Sequence, residues 1–259
     1  MIEEEILFEV EDRVAVVKLN RPKSLNALNE NMRQRLDDIF KEVNDRDDIR
    51  VVTIFGEGRA FCAGQDLKEG SLNYNSVQYL EKKQLVDFQR RLQCLTKPSI
   101  VGLHGYVLGR GLEFALSADI RIAADNAQFS LPEVKLGMLP ASGGTQLLTR
   151  LIGEERAMYI IMTSEKIDAR EAERWGMVTR VVPLENLRSS VIAAAQMIAE
   201  GAPLAVHYAK KTIRQAQRLS LEDGLQMESV LQAILMSTED RAEGLKAFRE
   251  GRKPKYSNR

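Results

Sequence analysis

Strand-like segments fill the first three-quarters of the chain and then stop. Ile6–Val10 and Val14–Leu19 read as two strands around a Glu11–Asp12–Arg13 turn, and Val51–Phe55, Ser99–Leu103, Ile120–Ala124 and Val178–Val182 continue the series. Helical patterns fall between them. Met32, Leu36, Ile39, Phe40 and Val43 recur at three- and four-residue spacing, with Asn29 or Asn31 as the cap. Val77–Leu95 reads as a second helix, ended by Lys97–Pro98. Gly70–Asn75, between them, is polar and reads as a mobile connection. From about Ser189 onward only helices remain: Ser189–Glu200, Pro203–Arg218, Leu221–Met236 and Ala242–Glu250. Alternating strands and helices imply an α/β core over residues 1–188, followed by a helical region over 189–259.

Charge and composition narrow the function. Lys plus Arg and Asp plus Glu both number 37, so the formal net charge is zero. That balance gives no electrostatic reason to expect nucleic acid or an anionic membrane surface. No apolar run reaches the roughly 18 residues of a membrane span, and the acidic Met1–Glu5 does not resemble a signal peptide. The two cysteines, Cys62 and Cys94, show neither metal-type spacing nor a disulfide framework. A cytoplasmic protein is the simplest expectation. There are two histidines, His104 and His207. Chemistry here therefore falls to carboxylates and backbone dipoles.

Two glycine-rich connections follow strands. Gly105-Tyr-Val-Leu-Gly-Arg-Gly-Leu-Glu-Phe-Ala115 turns into an apolar helix, Leu112–Ala118. The first amides of a helix lack partners and carry the positive end of its dipole, so they hold negative charge well. Gly58-Arg-Ala-Phe-Cys-Ala-Gly-Gln-Asp-Leu-Lys68 follows Val51–Phe55 and lacks the phosphate-loop pattern. Taken alone, the first is equally a tight turn, and the second reads as a glycine-rich connection. Glu113 reads as a helix-start acid or as a carboxylate in a dry pocket, and Glu133 as an exposed loop acid or a functional one. His104 reads as structural, Arg59 and Lys68 as surface charges, and Ser142 lies outside any nucleophile elbow.

The order of these segments resembles one family, the crotonases (enoyl-CoA hydratase/isomerase family). Asn20–Leu28 is similar to their early segment, Phe61–Leu67 to the first oxyanion-hole loop and Gly105–Ala115 to the second. Ala127–Glu133, Leu136–Pro140 and Gly143–Gln146 resemble the second catalytic segment, and Ala169–Val178 and Arg249–Pro254 continue the match. The resemblance implies an α/β spiral of ββα units with two sheets flanked by helices. It also implies a helical C-terminal region that joins copies of the chain into a trimer, often doubled to a hexamer.

By the same resemblance, the amides of Gln65 and Arg110 would form the oxyanion hole. Glu113 would activate water and Glu133 would protonate Cα of a 2-enoyl thioester. Leu25, Ala27, Ala63, Gly64, Asp66, Leu67 and Lys68 would touch the acyl-CoA substrate. Coenzyme A is then part of the substrate, and no metal or other cofactor is needed. Enoyl isomerisation, another reaction of the family, or acyl-CoA binding without turnover are the alternatives. Two positions depart from the pattern. Arg110 stands where many hydratases have glycine, and Gln65 where they often have a small residue.

Overall fold

The computed structural model describes residues 4–69, 75–85 and 87–258. The polar Gly70–Asn75 connection, except for Asn75, lies outside the described residues. The chain opens with β1 (Ile6–Glu11) and β2 (Val14–Leu19), an antiparallel hairpin. Its turn places Asp12 and Arg13 at φ 47° and 67°, the consecutive left-handed pair that matches strand twist. Then follow α1 (Glu30–Asp45), β3 (Val51–Gly56), α2 (Ser76–Leu85), α3 (Phe88–Cys94), β4 (Ser99–Leu103), β5 (Tyr106–Leu108) and α4 (Arg110–Ser117). The middle of the chain holds β6 (Ile120–Ala124), β7 (Gln128–Ser130), α5 (Gly144–Ile152), α6 (Glu154–Thr163), β8 (Ile167–Asp168), α7 (Ala169–Arg174) and β9 (Arg180–Val182). It ends with α8 (Leu187–Ala199), α9 (Pro203–Gln215), α10 (Leu221–Met236) and α11 (Glu239–Glu250).

Six strands form one sheet in the order β1-β2-β3-β4-β6-β9, parallel from β2 onward. A smaller sheet runs β5-β7-β8. Strand alternation sorts the large sheet's side chains onto two faces. Val14, Val16, Val51, Phe55, Ile100 and Ile122 pack against Leu187, Val191 and Ala195 of α8. Ala15, Val17, Leu19, Val52, Ile54, Val101 and Leu103 face the larger core with α1 and α4. A parallel sheet covered on both faces reads as near-continuous apolar runs, as these strands do.

Several expectations shift by a few residues, each for a local reason. The single helix expected over Val77–Leu95 is two, because the Asp87 side chain accepts the Arg90 amide and caps a new start. The apolar helix begins at Arg110 rather than Leu112, since Gly109 supplies its N-cap. Asn29, not Asn31, caps α1 through the Met32 amide. Among the described residues, no single helix is long and apolar enough to cross a membrane.

Candidate active site

The site is assembled by two loops zipped together. On one side, the Phe61 amide donates to the His104 carbonyl (2.8 Å), Cys62 to Tyr106 (3.1 Å) and Leu108 back to Cys62 (3.0 Å). On the other, the Leu28 amide donates to Gly64 (2.8 Å) and Asp66 to Leu28 (3.1 Å). That ladder skips Gln65, whose own N–H points away from Leu28. Arg110 is the first residue of α4, so its N–H has no partner within the helix. The two segments lie side by side. A Cβ on Gly64 would lie 3.6 Å from the Arg110 nitrogen, and the Arg110 Nη1 donates to Gln65 Oε1 at 2.9 Å.

A buried asparagine holds this region in register. Asn26, with φ 55° and no exposure, accepts from the Arg21 amide (2.8 Å) and donates to the carbonyls of Glu57 (2.9 Å) and Ala60 (2.8 Å). It follows Leu25, also left-handed at φ 51°. The Ala63 amide returns to the Leu25 carbonyl at 2.9 Å, and Arg21 donates to the Ala27 carbonyl and to Asp66 Oδ2. Leu25, Ala27, Ala63, Gly64 and Asp66 are thus one bonded unit beside the Gln65 amide. The Asp66 carboxyl sits below the usual range, because it accepts the Lys68 amide and pairs with Arg21, which together outweigh burial. Leu67 is half exposed, and Lys68 points to solvent.

The two glutamates meet at the head of α4. Phe114 anchors that helix among Phe40, Phe61 and Phe88, edge-on to Phe88 with ring centroids 5.0 Å apart. Glu113, next to it, is 2% exposed. Its Oε1 accepts the amides of Ser142 (2.7 Å) and Gly144 (2.9 Å), at the mouth of α5. A carboxylate, which only accepts, suits two converging N–H donors. Glu133 starts a short 3-10 turn over Glu133–Leu136. Its Oε2 is buried with no hydrogen-bond partner among the described residues. Burial, joined by the nearby Glu113, pushes its pKa up to about 7. One acid is therefore gripped by amides, and the other is partly buried, with one oxygen unpartnered among the described residues and its pKa raised.

Glycine is required where α4 begins. Gly109 has φ 50°, and a Cβ there would lie 2.8 Å from Glu133 Oε1. The Arg110 side chain lies over the Phe88 ring at 5.8 Å and donates from Nε to Gln89 Oε1 at 3.3 Å. Gln89 in turn donates to the Ser142 carbonyl at 3.4 Å. The two departures noted in the sequence are therefore one contact. Asn26, Gln89 and the Ser142 and Gly144 amides were missed by sequence reasoning. Only the Gly143–Gly144 pair carried a signal. His104 is structural, its ring bonded to the Gly58 carbonyl at 3.0 Å. Ser142 contributes its backbone, not a nucleophilic hydroxyl.

Known proteins are similar to this chain along nearly its whole length. The enoyl-CoA hydratase/isomerase family model matches residues 9–259. The chain is 40% identical over 263 residues to a Mycobacterium tuberculosis protein named "Probable enoyl-CoA hydratase echA8", with all of each chain covered. It is 36% identical to the 2,3-dehydroadipyl-CoA hydratase of Escherichia coli, covering 98% of this chain and 99% of that one. The crystal structure of an enoyl-CoA hydratase from Bacillus anthracis superimposes with a TM-score of 0.94 at 37% identity, covering 99% and 100% of the two chains.

Proposed function

Because the chain belongs to the enoyl-CoA hydratase/isomerase family, we propose that it adds water across the 2,3 double bond of a 2-enoyl-CoA thioester. The thioester oxygen sits between the amides of Gln65 and Arg110. As hydroxide bonds to C3, electrons shift through the double bond onto that oxygen. Two fixed dipoles meet the charge without reorganising, and losing one such donor typically costs on the order of 10²–10³ in rate.

The glutamates divide the proton work. Glu113, held by two amides, takes a proton from water as the oxygen attacks. Glu133, whose pKa lies at about 7, delivers its proton to C2 as the enolate collapses. The product is a 3-hydroxyacyl thioester. The proton left on Glu113 and the charge left on Glu133 reset through solvent before the next cycle. An acid and a base with pKa values pulled apart by environment is what such chemistry requires. Coenzyme A enters as part of the substrate, and the reaction calls on no separate cofactor.

The observation that carries the reading is the pairing of Glu133, whose buried Oε2 has no partner among the described residues, with amide-gripped Glu113 beside the Gln65–Arg110 contact. Adding the protein to crotonyl-CoA should bleach the enoyl-thioester absorbance, with a product mass gain of one water. Glu113→Ala and Glu133→Ala should each remove most of the rate. Full activity in either variant would sink the assignment.

The chain works as a trimer or a pair of trimers in this reading. Exposed apolar side chains on the C-terminal helices support it: Ile213 at 71%, Leu221 at 80% and Phe248 at 87% exposure. A cytoplasmic location agrees with two free cysteines.

A further inference from the structure

Arg110 is a cation whose direct partners are all neutral. Its Nη1 and Nε donate to the amide oxygens of Gln65 and Gln89, and its guanidinium lies against the Phe88 ring. Among the described residues its hydrogen bonds go to amide oxygens, and the carboxylates of Glu113 and Asp87 act on it only through space. Burial holds its pKa below the usual guanidinium value, with Arg33 adding repulsion and Glu113, Tyr79 and Asp87 opposing it. An enclosed charge without a counter-charge is costly, and such charges are normally paired. Nη2 makes no hydrogen bond among the described residues, and it is not a buried orphan. The guanidinium is therefore fixed along one edge, and its other edge has no partner among the described residues.

Its position relative to the chemistry follows from its own backbone. The Arg110 amide is one of the two donors for the thioester oxygen in the reading above, so side chain and acyl tail depart from the same point. Gln65, the other donor, orients the guanidinium directly. Gln89, 2% exposed and on α3, holds it from the far side. The phosphates of coenzyme A hang at the end of the pantetheine arm, beyond the reach of a side chain so anchored. An arginine side chain is comparable in length to a short acyl chain. Anchored beside the thioester oxygen, a side chain of that length has the reach to meet the tail of a short acyl group.

We propose that Arg110, set by Gln65 and Gln89, is a subsite for a carboxylate at the far end of the acyl chain, making a short 2-enedioyl-CoA the favoured substrate class. The proposal rests on the hydratase reading. A carboxylate would complete the guanidinium with charge-assisted hydrogen bonds, and Arg is the side chain best shaped to hold one.

The test compares two acyl groups of equal carbon number, 2,3-dehydroadipyl-CoA and 2-hexenoyl-CoA, which differ by a terminal carboxylate in place of a methyl. The wild type should favour the dioyl ester in kcat/KM by on the order of 10–100-fold, the worth of a hydrogen bond to a charged group. Arg110→Met should collapse that ratio toward one, and Arg110→Lys should retain part of it. The ratio cancels any loss common to both substrates. Wild-type preference for the hexenoyl ester, or equal slowing of both by Arg110→Met, would overturn the proposal. So would an Arg110→Met variant that binds free coenzyme A as poorly as it binds the dioyl ester, since the guanidinium would then serve a phosphate. Should the variants fail to fold, wild-type titrations with the unreactive adipyl-CoA and hexanoyl-CoA decide: tighter binding of adipyl-CoA supports the subsite, and equal binding refutes it. Hydration of neither enoyl ester refutes the hydratase reading instead, and the same titrations still judge the subsite.

Discussion

Replacing Glu133 with glutamine should lower activity and raise alkaline stability at once. The wild-type carboxyl has its pKa pushed up to about 7, chiefly by burial, with Glu113 adding to it. As the proposed proton donor to C2 it would have to be protonated, so kcat/KM should fall above about pH 7, approaching tenfold per pH unit. Glu133→Gln cannot donate that proton and should cost on the order of 10²–10⁴ in kcat, with the alkaline limb gone. Stability runs the other way. A carboxyl with a raised folded pKa is penalised when ionised, so the fold loses stability as pH rises from the unfolded value through about 7. Discounted for the partial exposure of Glu133, that penalty is about 1–2 kcal/mol at pH 8. The glutamine variant escapes it. Initial rates of enoyl-thioester absorbance loss from pH 5 to 10, with urea unfolding at pH 5 and pH 8, measure both effects. A wild-type rate flat from pH 6 to 9, or an alkaline limb that survives in Glu133→Gln, would refute the assignment of Glu133 as the acid.

Three other perturbations probe the frame around the pair. Gly109→Ala forces a side chain into φ 50° and 2.8 Å from Glu133 Oε1; it should cost about 1–2 kcal/mol in strain and about 10²-fold in kcat by displacing the acid, read by thermal melting and steady-state rates. Asn26→Ala strands the buried Ala60 carbonyl and the part-buried Glu57 carbonyl and Arg21 amide and should destabilise by about 3 kcal/mol in urea titration. Asp119 is buried, which raises its pKa, but Lys210 and Arg214 outweigh this and hold it below the usual range. Its contribution is present above the unfolded pKa and lost as pH falls through the folded one. Asp119→Asn should therefore cost about 3 kcal/mol at pH 7 and flatten the acid side of the stability–pH curve.

What the chain spells out locally, it spells out well. The large-sheet strands are continuous apolar runs, and Met32, Leu36, Ile39, Phe40 and Val43 mark the buried face of α1. The small sheet was not legible, because Tyr106–Leu108, Gln128–Ser130 and Ile167–Asp168 are too short to show a two-residue period. Their pairing is set by tertiary contacts rather than by pattern. The helices α5 and α6 were hidden for a related reason: Gly143 and Gly153 serve as their N-caps, and glycine carries no side-chain capping signal.

The site shows the same boundary more sharply. Glu113 and Glu133 lie 20 positions apart, and nothing in either neighbourhood tells a catalytic acid from a bystander. Their chemical difference arises from atoms that no local window contains. The Ser142 and Gly144 amides reach Glu113 from beyond Glu133, and Gly109 clears the space in which Glu133 stays dry. Swapping the surroundings, not the residues, would swap the roles, since both side chains are glutamates. Arg110 follows the same logic. As a letter in a glycine-rich turn it is a departure, yet its partners Gln65 and Gln89 come from two other segments and turn it into a fixed cation. On the subsite proposal, the acyl specificity of this chain would be set by a three-segment contact. Its sign, attraction of a tail carboxylate or mere filling of space, is read directly by the dioyl-to-hexenoyl ratio.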